Sequence, residues 1–175
     1  MIKMTDYRKE VVDDRGAIKK LQLLIPGYRG YRINEDLRDA DIFLKNEIYK
    51  KMLFYIDKLK EAENNLVKKG MFMNLEDIKD AVSKIQTVAA QIKHHEAGYS
   101  GISAPLRITA DKLSRVYDLD SSIADLLSGL ENSIDSFYSD TLTGKFNSEK
   151  LNAITDNVSK LIEINNMRDK IIYGE

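Results

Sequence analysis

An all-α antiparallel bundle of four to five helices, preceded by an irregular N-terminal arm, is the fold that this 175-residue sequence predicts. Three observations point there. Apolar residues recur at helical spacing through most of the chain, which places them on one face of each helix. The composition, with two prolines, no tryptophan and no cysteine beside plentiful Leu, Ile, Lys, Asp and Glu, favours helices over a sandwich or barrel. Short connectors rich in Gly, Asn and Ser separate the periodic stretches, as antiparallel neighbours require.

The arm is taken as residues 1–33, where periodicity is not sustained; within it Ala17 to Ile25 suits a short helix or strand, which Pro26-Gly27 stops. The bundle domain is taken as residues 34–175. Asn34 is the expected N-cap of a first long helix running to Lys69, with Glu35, Asp36 and Asp39 in its first turn and Gly70 behind it. Leu37, Leu44, Ile48, Tyr55, Leu59 and Leu66 follow alternating spacings of seven and four, which holds one stripe on one face. A second set, Ile42, Phe43, Tyr49, Met52, Leu53, Phe54 and Ile56, makes the middle of this helix apolar on most sides, as suits the centre of a bundle.

Asn74 caps the next predicted helix, whose seam is Leu75, Ile78, Val82, Ile85, Ala89 and Ile92 and which ends near Glu96. Ser103 and Pro105 read as the cap and first-turn proline of a further helix with Leu106, Ala110, Leu113 and Val116 on its apolar face. That pattern resumes at Ile123, Leu127, Leu130, Ile134 and Phe137, but Asp120 stands where the seam needs an apolar residue. A break at Asp118 to Ser122, with Ser122 and Asp125 as a capping box, is expected over a continuous helix with a polar notch. Thr143-Gly144-Lys145 is a turn, and Asn147 or Ser148 caps a last helix that buries Leu151, Ile154, Val158, Leu161 and Ile162 and ends near Tyr173.

Charge is segregated along the chain. Met1 to Gly70 holds 16 Lys and Arg against 12 Asp and Glu, a net of +4, while the remainder holds 11 against 16, a net of −5. Arg15 to Arg32 contains five basic residues and no acid, so the arm suits either an external anion or the acidic helices of its own chain or a second copy. The absence of cysteine excludes disulfides and thiolate chemistry and fits a reducing compartment. Met1 to Asp6 lacks the apolar run of a signal peptide and no apolar stretch approaches the ~20 residues of a spanning helix, so a cytoplasmic location is expected.

The most specific motif is Gly-Tyr-x-Gly, present as Gly27-Tyr28-Arg29-Gly30 and again as Gly98-Tyr99-Ser100-Gly101. Glycine permits positive φ and close backbone approach, while a tyrosine between glycines can bury its ring and keep its hydroxyl on a polar partner. One reading is a pair of helix connectors pinned by aromatic plugs. The other is a surface site, in which Lys19, Lys20, Arg29 and Arg32 contact phosphate on nucleic acid or an anionic membrane surface and Tyr28 and Tyr31 stack or insert. Neither copy has the lysine-serine ending of a P-loop.

The run Ile25-Pro26-Gly27-Tyr28-Arg29-Gly30-Tyr31, followed by a charged helix with Leu37-Arg38 and by the central Gly98-Tyr99-Ser100-Gly101, resembles an uncharacterised family of small helical prokaryotic proteins. The resemblance spans about half the chain through two short motifs and departs after the second, where Ile102-Ser103-Ala104 stands in place of Phe-Phe-Asp. It implies a helical fold and no activity.

His94-His95-Glu96 holds the only two histidines, which as consecutive helical residues point about 100° apart and do not form an i, i+4 metal pair. No metal or cofactor is expected, and no motif organises the acids into catalytic roles. The function expected is a non-enzymatic helical interaction or scaffold module whose partner is itself or another helical protein. The anion-binding module is the alternative, and a small-molecule enzyme at the paired connectors is the third reading.

Overall fold

The computed structural model describes residues 7–30, 37–94 and 108–174, with side chains from Arg15 onward in the first stretch. Five helices follow in order: α1 (Tyr7–Leu24), α2 (Leu37–Lys68), α3 (Leu75–His94), α4 (Ala110–Leu142) and α5 (Ser148–Tyr173). The chain is all-α, with no strand among the described residues. α2, α3, α5 and α4 surround one core in that cyclic order, and α1 packs on α4. Contacts of Tyr55 with Leu127 and of Asn65 with Thr141 show α2 and α4 running parallel. α2 and α5 therefore lie at opposite corners of the ring, and a contact between them must cross its centre.

The seam read for α2 is wholly inside, because Leu37, Leu44, Ile48, Tyr55, Leu59 and Leu66 are all buried. The second apolar set on α2 divides: Met52 and Ile56 are buried and Tyr49 is partly so, but Ile42, Phe43, Leu53 and Phe54 are exposed. α2 is thus a corner of the ring and not its centre. Its C-terminus closes as a Schellman motif, with Gly70 at φ +73° and the Met71 and Gly70 N–H groups donating to the Leu66 and Val67 carbonyls at 2.9 and 3.0 Å. α4 ends the same way around Gly144, where the Lys145 and Gly144 N–H groups reach Asp140 and Thr141. Asn147 accepts from the Lys150 N–H as the cap of α5.

Four expectations change. The arm is not irregular: α1 is an 18-residue helix, and Ala17, Leu21, Ile25 and Tyr28 enter the common core. Its signal is weak because, among the side chains described, Ala17 and Leu21 alone of α1 are buried, and α1 packs on α4. Second, α4 does not break at Asp118 to Ser122; it runs unbroken for 33 residues, and the Ser122 hydroxyl donates to the Asp118 carbonyl at 3.0 Å instead of capping a new helix. Third, α4 begins after Thr109, whose side chain accepts from the Lys112 N–H, so a helix continuous from Pro105 is excluded by the extended Thr109. Ser103 and Pro105 lie outside the described residues, as do Asn34 and His95-Glu96. Fourth, Asn74 adopts φ +67° and donates its side-chain amide to Asp77 at 3.0 Å.

Candidate functional site

Six charged or amide side chains stand on the inward faces of α2, α4 and α5. Asp41 and Lys45 continue the α2 seam between Leu37 and Ile48; Asp120 occupies the α4 seam between Val116 and Ile123; Asn165, Arg168 and Asp169 follow Leu161 on α5. None of the six is more than 4% exposed. Burying such groups is costly unless each meets a partner, and here they meet one another.

Arg168 is the hub. Its Nε donates to Asp120 Oδ1 at 2.6 Å and its Nη1 donates to Asp41, so one guanidinium joins α5 to both α4 and α2 across the centre of the ring. A planar fork can do this where a point charge cannot. Lys45 sits between Asp41 Oδ2 at 2.9 Å and Asp169 Oδ1 at 2.8 Å, with the Tyr173 ring 5.2 Å from its Nζ. Asn165 donates to Asp169 Oδ2 at 3.1 Å, Tyr173 donates its hydroxyl to Asp41, and Tyr28 donates its hydroxyl to Asp120 Oδ2 at 3.0 Å. α2, α4 and α5 are tied at one point, and the segment that follows α1 joins them through Tyr28.

Among the described residues, three carboxylates face two cations in this cluster. Burial pushes Asp120 well above the ordinary carboxylate value and raises Asp41, the latter against the pull of Lys45. Burial opposes the charge on Lys45, but Asp41 and Asp169 outweigh it and hold the ammonium protonated. Burial also raises the Tyr28 and Tyr173 hydroxyls, helped by the neighbouring aspartates. Because these side chains are sealed from solvent, their chemistry is internal: they fix how the helices register, and they present no group to an outside substrate.

The residues singled out from sequence that are described take different surroundings. Tyr28 is 2% exposed, so it is an aromatic plug and not a ring held out for stacking. Lys20 reaches across to α4, to Asp125 at 3.0 Å and the Ser121 hydroxyl at 3.2 Å, so this part of the basic run is turned onto an acidic helix of its own chain. Lys19 and Arg29 are exposed, Gly27 and Gly30 adopt φ of +93° and +74°, and Arg32, Tyr31, Gly98, Tyr99 and Gly101 lie outside the described residues. A Cβ on Gly30 would stand 3.0 Å from Ile18 Cδ1 and 3.1 Å from the Tyr117 hydroxyl, so close packing as well as φ requires glycine there. His94 lines a surface cleft of about 420 Å³ with Gln91, Ile162 and Asn166.

Of the cluster, only Asp120 drew notice as a polar residue in a seam. The same signal marks Asp41, Asn165 and Arg168, which occupy seam positions of otherwise apolar faces. The chain matches no protein-family model, and no curated protein or solved structure is similar to it at a significant level.

Proposed function

We propose that the protein is a non-enzymatic helical interaction module that pairs with a second copy of itself through α2. The supporting observation is the outer face of that helix, where Ile42, Phe43, Leu53 and Phe54 are 37, 37, 41 and 57% exposed although the inward face is fully occupied. Ile42 and Leu53, and likewise Phe43 and Phe54, are eleven residues apart. That spacing places each pair within about 20° of the same direction and ~16 Å apart along the axis.

Two such patches on one helix suit an isologous contact. A two-fold axis between them lays Ile42 and Phe43 of each copy beside Leu53 and Phe54 of the other. Exposed Lys50 stands between the two patches and Asp57 about one turn beyond the second, both in the same angular sector of the helix, so the contact interleaves charged with apolar side chains. The core of each bundle is completed within its own chain, so pairing and folding are separable.

Light scattering on the full chain tests this directly. The expected mass is that of a dimer, and Leu53→Glu with Phe54→Glu should give a folded monomer with unchanged helical circular dichroism. A monomer at every concentration of the unsubstituted chain rejects the reading.

A further inference from the structure

Residues 15–30 hold together as one body, because the connector after α1 folds back on the helix it leaves. The Gln22 side-chain amide donates to the Tyr28 carbonyl at 2.9 Å, and the Ile25 and Tyr28 N–H groups donate to the Leu21 and Ile25 carbonyls at 2.7 and 3.2 Å. A Cβ on Gly30 would stand 3.0 Å from Ile18 Cδ1, so the end of the connector touches the helix again. Toward the bundle this body turns one row, Ala17, Leu21, Ile25 and Tyr28, all buried, while Lys19, Gln22, Leu23 and Arg29 are exposed.

Its hold on the rest of the molecule is narrow. Among the described residues, α4 is the one helix on which α1 packs extensively, whereas α2, α3, α5 and α4 each pack on two others to close the ring. Lys20 and Asp125, with side chains 50 and 66% exposed, form a screened pair of small weight. Gly27 and Gly30 border Phe43 and the Tyr117 hydroxyl. Tyr28 adds a buried hydrogen bond, from its hydroxyl to Asp120 Oδ2. Lifting Tyr28 away strands no charge, because Arg168 keeps both Asp120 Oδ1 and Asp41, and water can replace the phenol at Oδ2.

We infer that residues 15–30 are a strap that lifts from α4 as a unit while the ring of α2 to α5 stays folded, turning Asp120 from a sealed group into the solvent-facing end of its ion pair with Arg168. Proteins open in local cooperative units, and the units with few buried apolar contacts open first. Four buried side chains against a core that closes without them mark this one out among the described elements. Closed, the strap hides the carboxylate; open, it presents to solvent an acid held in place by a guanidinium. The inference does not rest on pairing through α2.

Thiol labelling of the full chain tests it, since the sequence has no cysteine and one introduced thiol is the sole reporter. Ala17→Cys reports on the strap, and Ala62→Cys on α2 and Ala89→Cys on α3, at 0 and 1% exposed, report on the ring. With an aromatic disulfide reagent under native conditions, the Ala17→Cys thiol should react about tenfold faster or more than either ring thiol. Its rate should rise far less steeply with urea, because its opening exposes less surface. Ile85→Val on α3 should speed ring labelling about fivefold and leave the Ala17→Cys rate unchanged. Tyr28→Phe should speed labelling at position 17 about tenfold, although the two positions are eleven residues apart. Equal rates at strap and ring, a shared urea dependence, or an Ala17→Cys rate that follows Ile85→Val overturns the inference. A rate at position 17 indifferent to Tyr28→Phe overturns it too, since α1 would then fray piecemeal. Hydrogen exchange on the unsubstituted chain reads the same event without a substitution, because an undocked helix of 18 residues is marginal in water. Amides of residues 15–30 should exchange ahead of those in the middle of α2, α3, α4 and α5, and simultaneous exchange rejects the strap.

Discussion

Arg168 on α5 and Asp120 on α4 meet at 2.6 Å with both side chains fully shielded from solvent, 48 residues apart in the chain. With the bond from Arg168 to Asp41, 127 residues away, this contact holds three helices in one register. Buried ionic groups of this kind add little net stability over a well-packed apolar alternative, but removing one member strands the others.

Arg168→Met should therefore lose about 3–5 kcal/mol of unfolding free energy, because Asp41 and Asp120 remain buried without their shared cation. Arg168→Lys should recover little, since a single ammonium cannot span both carboxylates. Urea denaturation monitored by circular dichroism measures both, and a loss below about 1 kcal/mol for Arg168→Met would contradict the hub role.

The raised carboxyls of Asp120 and Asp41 set a pH dependence. A carboxyl whose folded value exceeds its unfolded value stabilises the fold fully below the unfolded value of about 4, and that contribution is lost as pH rises through the folded value. Stability should thus decline with rising pH above about 4, and Asp120→Asn, neutral and of similar shape, should flatten the decline. Asp140, lowered by its hydrogen bond with Lys150, acts in the opposite sense and below that window. Thermal midpoints across pH distinguish the cases; an Asp120→Asn chain with the unaltered slope would place the proton elsewhere.

At high pH three tyrosines resist ionisation. Burial raises Tyr28, Tyr55 and Tyr173 above the ordinary phenol value, and aspartate or glutamate neighbours add to the shift. Each contributes stability that is complete below about pH 10 and is lost as pH rises through the folded value. The expected result is alkaline unfolding in which these three tyrosinates form together with loss of helicity. Tyrosinate absorbance rising smoothly at constant circular dichroism would be the contrary outcome.

Two glycines with nearly equal φ separate backbone strain from packing. Gly70→Ala at φ +73° meets open space and should cost about 1–2 kcal/mol for the left-handed conformation alone. Gly30→Ala at φ +74° also presses on Ile18 and the Tyr117 hydroxyl, so its loss should be larger. Equal losses in chemical denaturation would mean that the α1 end yields to the added methyl.

The stop signals at Gly70 and Gly144, the cap at Asn147 and the buried stripes of α2, α3 and α5 were legible because each depends on residues within a few turns of one another. α1 was less legible, because the short seam of Ala17, Leu21, Ile25 and Tyr28 is covered by one neighbour and carries little excess of apolar residues. Asp120 was read as a break for a sound local reason: an unpaired carboxylate cannot stay in a dry seam. Its partner is on α5, and nothing in the local pattern of α4 announces it.

Sequence alone thus determined where α2, α3 and α5 form and which main stripe of each turns inward, since 3.6-residue periodicity and capping are local properties. Tertiary structure alone decided what the buried polar residues do. Tyr28, the centre of the first Gly-Tyr-x-Gly, points its hydroxyl at Asp120, 92 residues onward, and Asp41 is neutralised from the opposite corner of the ring. Buried charges persist only where compensating charges arrive from other helices, and their arrival is set by how the helices pack.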